Sequence, residues 1–74
     1  MHIDIMNKVD IGQTIKERRK FLGITQQAFA EIAGISLRSL INIETGKGNS
    51  TIVQLDKLLS ALGLSIEIKV KNND

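Results

Sequence analysis

The chain has 74 residues, with no cysteine, proline, tryptophan or tyrosine, ten lysines and arginines against eight acids, and a net charge of +2. A chain this short buries only about 60% of the surface it exposes when extended, so one small domain is expected, marginal enough to gain from dimerisation. Without thiols there is no disulfide or thiolate metal site, which fits a reducing cytoplasm, and apolar runs well short of the roughly 20 residues that span a bilayer predict a soluble chain with no membrane partner.

The positive charge is clustered, with Lys16, Arg18, Arg19 and Lys20 inside one predicted helix. Placement matters more than the sum. Phe21 and Phe29 are the only aromatics, so the stacking platforms of single-stranded nucleic-acid binders are missing and duplex DNA fits better.

Residues 1–9 read as an N-terminal arm. Ile3 and Ile5 alternate weakly, as in a short edge strand, and Lys8 is placed to touch a phosphate. His2, the only histidine, reads as a solvated side chain. Asp10 and Gln13 then have capping-box spacing, and Ile11, Ile15, Arg19 and Leu22 form a stripe at helical period before Gly23 and Ile24 close the helix. Arg19 interrupts that apolar stripe, so it needs a partner. Lys16 and Lys20 lie one turn apart on the outer face and read as solvated.

From Thr25 to Gly48 the pattern is two short helices joined by a glycine turn. Thr25 caps the first, in which Phe29, Ile32 and Ala33 share a face. Gly34 supplies the sharp turn, where a positive φ is cheap for glycine, and Ile35 follows as an apolar plug. Ser36 caps the second helix, Leu37 to about Glu44, with Leu40 and Ile43 inward and Arg38, Ser39 and Asn42 left outward, and Thr45-Gly46 ends it. After Gly48 and Asn49, Thr51 and Gln54 are again in capping-box register, and Ile52, Leu55, Leu58, Leu59 and Leu62 supply the apolar face of a fourth helix, ended by Gly63 and Leu64. The run Gly46 to Thr51 lacks the order of a phosphate-binding P-loop and follows a helix rather than a strand.

Leu64, Ile66, Ile68 and Val70 alternate with Ser65, Glu67 and Lys69, the period-2 pattern of a strand with one apolar face. One strand makes no sheet. Pairing with the same strand of a second copy, in an antiparallel ribbon packed on the fourth helix, is the expectation, and a hairpin with the N-terminal arm is the rival. Residues 71–74 read as a disordered polar tail.

On Gln26, Ala30, Gly34, Leu40 and the phrase Glu44-Thr45-Gly46-Lys47, the chain resembles the helix-turn-helix repressors typified by the lambdoid phage repressors and Cro proteins, within the Xre-like group. With its flanking helices the resemblance covers roughly residues 10–63, the helix-turn-helix domain. It implies a mainly α, four- to five-helix lambda-repressor-like fold, to which the strand of residues 64–70 adds a dimerising element. It also implies a partly buried ion pair between Arg19 and Glu44. For DNA it places Arg18, Gln26, Ser36, Ser39, Thr45 and Lys47 at the backbone and Leu37, Arg38 and Asn42 at the bases. Arg38 suits guanine O6 and N7, Asn42 suits adenine, and Leu37 suits a thymine methyl. The phage proteins often have polar residues where Leu37 and Ile41 stand, so packing of this pair on Ile35 or the first helix is the alternative. Leu62-Gly63-Leu64-Ser65 with its strand further resembles the antitoxins of HipBA-type modules, which implies a kinase-fold toxin as partner.

The expectation is therefore a cytoplasmic, homodimeric, sequence-specific repressor of a pseudo-palindromic duplex operator, doubling as the antitoxin of such a module. The alternative is a protein-interaction module that neutralises a partner with little DNA specificity. No nucleophile, base and oxyanion set converges and no metal-ligand spacing exists, so neither an enzyme nor a cofactor or metal is expected.

Overall fold

In chain order the elements are β1 (His2–Ile3), α1 (Lys8–Phe21), α2 (Gln26–Ala33), α3 (Leu37–Glu44), α4 (Ile52–Ala61) and β2 (Ser65–Ile66). The computed structural model describes residues 2–3 and 8–66, with side chains from 10 to 65. α1 starts two residues before the expected cap, so Asp10 falls in the first turn, where a negative charge suits the free N–H groups, and Arg18, Arg19 and Lys20 sit in the last turn, where positive charge suits the free carbonyls.

Ile11, Ile15, Phe29, Leu40, Ile43, Leu58, Leu59, Leu62 and Leu64 are buried in one core, with Ala30 at the contact between helices. Three residues expected on inward faces are exposed. Leu22 is 42% exposed because it lies beyond the end of α1; the Ile24 N–H bonds the Arg19 carbonyl at 3.1 Å and Ile24 takes the inward place instead. Ile32 is 65% exposed, since burial of both Phe29 and Ala30 turns the inward arc of α2 away from it. Ile52 is 57% exposed and Val53 beside it 78%, because α4 buries Leu58 and Leu59 towards its far end while its first turn projects from the core.

The helix ends repeat one device. The N–H groups of Ile24, Ile35, Lys47 and Leu64 each reach back five residues, to the carbonyls of Arg19, Ala30, Asn42 and Leu59, over 2.8 to 3.1 Å. The preceding glycine adopts positive φ in each case. This is the Schellman closure, and three of its four following residues are apolar and turn into or against the core.

The C-terminal strand has a partner within the chain. β2 pairs with β1 of the same chain and in parallel, His2 opposite Ser65 and Ile3 opposite Ile66. Four helices separate the two strands in sequence, which is the long connection that parallel pairing needs and a hairpin does not have. The intrachain partner is therefore the N-terminal arm, as in the rival expectation, joined in parallel rather than as a hairpin. Leu64 precedes the strand and is buried in the core at 5% exposure, while Ile68, Val70 and the tail lie outside the described residues.

Candidate nucleic-acid interface

Local chemistry builds α2 and α3 at a set angle. Thr25, in extended conformation, accepts from the Ala28 N–H at 3.1 Å and so caps α2. Gly34 ends it at φ 71°, a value few other residues reach cheaply. Ser36 then accepts from the Ser39 N–H at 3.1 Å, its own hydroxyl donating to the Ser39 Oγ at 2.8 Å, and α3 begins. At the other end the Thr45 hydroxyl donates to the Ile41 carbonyl at 2.8 Å, and the Lys47 N–H to the Asn42 carbonyl at 2.8 Å.

The inner side of α3 is clamped. Arg19 and Glu44, only 5% and 4% exposed, form a two-bond pair: Nε to Oε2 at 2.7 Å and Nη2 to Oε1 at 3.0 Å. The remaining Arg19 nitrogen, Nη1, donates to the Ile24 carbonyl at 2.8 Å, and Gln26 Nε2 donates to Glu44 Oε1 at 3.1 Å. Among the described residues no buried side-chain nitrogen or oxygen lacks a partner. That is the condition under which a buried pair withstands its desolvation cost. α1 meets α3 closely at Gly12: a Cβ there would overlap the Ile43 carbonyl oxygen and stand 2.9 Å from that of Glu44. Periodicity gave no notice of this contact, though a glycine between Ile11 and Ile15 on a buried stripe is a signal of close approach.

The outer side is open. Leu37, Arg38, Ser39 and Ile41 are exposed, Asn42 is half-buried, and Leu37, Arg38, Ile41 and Asn42 line one shallow depression along the helix. Leu37, 37% exposed, and Ile41, 39% exposed, lie outside the buried core. Thr45 and Lys47 are exposed at the C-terminal end, and Ser36 and Ser39 at the N-terminal end. Gln26 is half-buried and turned to Glu44. Arg18 is half-buried: its Nε donates to the Leu62 carbonyl at 3.0 Å, at the C-terminus of α4, and its guanidinium lies 5.2 Å from the Phe21 ring centroid.

No group of His, Cys, Asp and Glu side chains among the described residues is arranged to hold a metal ion, and no described helix is long and apolar enough to cross a membrane. The HTH_3 family model, described as helix-turn-helix, matches residues 15–69. The chain belongs to the HTH_3 helix-turn-helix family. This HTH_3 chain is 34% identical over 64 residues to the uncharacterised HTH-type transcriptional regulator y4mF of Sinorhizobium fredii, covering 86% of this chain and 84% of that one. It is 35% identical over 49 residues to an uncharacterised HTH-type transcriptional regulator of Methanothermobacter thermautotrophicus, covering 66% and 71%. Its fold is similar to that of the restriction-modification controller protein C.AhdI of Aeromonas hydrophila, with a TM-score of 0.71, 30% identity, and 77% and 86% of the two chains covered. An HTH_3 family transcriptional regulator of Vibrio cholerae superposes with a TM-score of 0.72 at 36% identity, over 85% of this chain and 35% of that one. As an HTH_3 protein the chain is a DNA-binding transcriptional regulator.

Proposed function

We propose that the chain acts as a homodimeric repressor that reads a pseudo-palindromic operator with α3 in the major groove. The observation that carries this reading is the division of α3: one side fixed by Arg19, Glu44 and the Gly12 contact, the other offering Leu37, Arg38, Ile41 and Asn42. Arg38 takes guanine, Asn42 adenine, and Leu37 a thymine methyl. Ser36 and Ser39 with the N-terminus of α3, Gln26 at the start of α2, and Thr45 and Lys47 beyond α3 contact phosphates and set the register. Arg18, half-buried at the C-terminus of α4, completes that set. Two copies would place their α3 helices about 34 Å apart, one turn of duplex.

Leu62-Gly63-Leu64-Ser65, the phrase that resembles the HipBA-type antitoxins, has a folding role here: Leu64 bonds the Leu59 carbonyl at 2.8 Å and fills the core. A kinase-fold toxin would need a surface other than α3.

The test is selection from random duplex DNA at two salt concentrations. Enrichment of a two-fold symmetric site, with half-sites one helical turn apart and affinity falling steeply with salt, is expected. No enrichment, with a shallow salt slope and co-purification of a protein partner, would replace operator binding by a partner-neutralising module.

A further inference from the structure

α3 carries two parallel rows on its open side. Arg38 and Asn42 form a polar row, and Leu37 and Ile41, also one turn apart, form an apolar row beside it in the same depression. The apolar row lies outside the core, Leu37 37% and Ile41 39% exposed, so each presents apolar surface to whatever binds α3. Any duplex seated on Arg38 and Asn42 must therefore cover Leu37 and Ile41 as well. On the major-groove edge of DNA the one projecting apolar group is the C5 methyl of thymine, or of 5-methylcytosine. Over a bare cytosine or a purine edge, the two side chains would desolvate hydrogen-bonding groups and return nothing.

We infer that Leu37 and Ile41 together read a pair of pyrimidine C5 methyl groups in each half-site, Ile41 being a specificity-determining residue in its own right. The inference rests on the reading of α3 as the major-groove helix. Residues one turn apart rise about 6 Å along the helix, which spans about one to two base steps of 3.4 Å, so the two methyls lie on adjacent or next-adjacent base pairs. They flank the bases taken by Arg38 and Asn42.

The test removes single methyl groups from the DNA and leaves the protein intact. In the operator selected as above, each thymine is replaced in turn by deoxyuridine and the dissociation constant is measured at fixed salt. Two positions per half-site are expected to respond, each weakening binding about fourfold, the equivalent of one buried methyl. Pairing 5-methylcytosine with guanine at those positions should bind more tightly than cytosine with guanine by the same factor. Ile41→Ala should abolish the thymine-to-uracil difference at one position and Leu37→Ala at the other, with both variants retaining the helical circular dichroism of the parent. Equal affinity for thymine and uracil operators, or a difference that persists in both variants, would overturn the methyl reading while leaving operator binding intact. Retention of no duplex at all would overturn both.

Discussion

The close approach of α1 to α3 at Gly12 can be probed by adding one carbon atom. Gly12→Ala places two opposed effects on the same residue. Alanine is the better helix former by about 1 kcal/mol, so an unobstructed site inside α1 would be stabilised. The site is obstructed: the new Cβ would overlap the Ile43 carbonyl oxygen and stand 2.9 Å from the Glu44 carbonyl oxygen and 3.0 Å from its carbon. These are backbone atoms, held by the Thr45 N–H on Ile41 at 3.0 Å and the Gly46 N–H on Ile43 at 3.2 Å, so they cannot rotate aside as a side chain would. Relief requires α1 and α3 to separate, which loosens the packing of Ile11 and Ile15 and lengthens the Arg19–Glu44 bonds of 2.7 and 3.0 Å. Overpacking costs about 1–3 kcal/mol in ordinary cores, and an immovable neighbour puts this case at the upper end. After the gain in propensity the net loss is about 2 kcal/mol, or a midpoint lower by about 8–16 °C in a domain of this size. Thermal unfolding followed by circular dichroism, with urea titration beside it, reads this directly. An unchanged or raised midpoint would mean that propensity wins, and that α1 and α3 do not meet at Gly12 as described.

Arg19→Ala should cost about 3–5 kcal/mol in urea unfolding, because it strands the Glu44 carboxylate, while Arg19→Met combined with Glu44→Leu should recover much of the loss; a single-variant cost below about 1 kcal/mol would class the pair with exposed ones. Arg38→Ala should relax preference at one base pair of each selected half-site with the fold intact, and a selected site identical to the parent's would remove Arg38 from the base-reading set. Lys47→Ala should weaken binding to all sequences alike and lower the slope of log affinity against log salt by about 1, which a salt titration on one operator and one unrelated duplex would show.

Much of this arrangement is local, and the local signals were legible except at Asp10, which lies inside α1 rather than capping it. The caps at Thr25, Ser36 and Thr51 are set by side chains three residues from the N–H groups they receive, and Gly34 by the turn it must make. Arg19 showed itself as a charge on an apolar stripe, with the family pattern pointing to Glu44. Non-local facts were not legible. That Arg18 turns to the Leu62 carbonyl depends on where the end of α4 lies, and that Ile32 and Ile52 face outward depends on how wide an arc each neighbour covers. Period marks the centre of a helix face, not its edges. The parallel pairing of His2–Ile3 with Ser65–Ile66 joins segments with no spacing signal between them.

The contacts of Arg19 have a thermodynamic consequence for association. Through the Ile24 carbonyl and the Glu44 carboxylate, which also accepts from Gln26, one guanidinium ties the end of α1, the following turn, the start of α2 and the end of α3 into a single body before any ligand arrives. Interfaces that must first be ordered lose affinity to that ordering, and rigid ones do not. The motif helices of this chain therefore meet their target already assembled, and the heat capacity change of binding should reflect the contact surface alone, without the larger negative term of coupled folding.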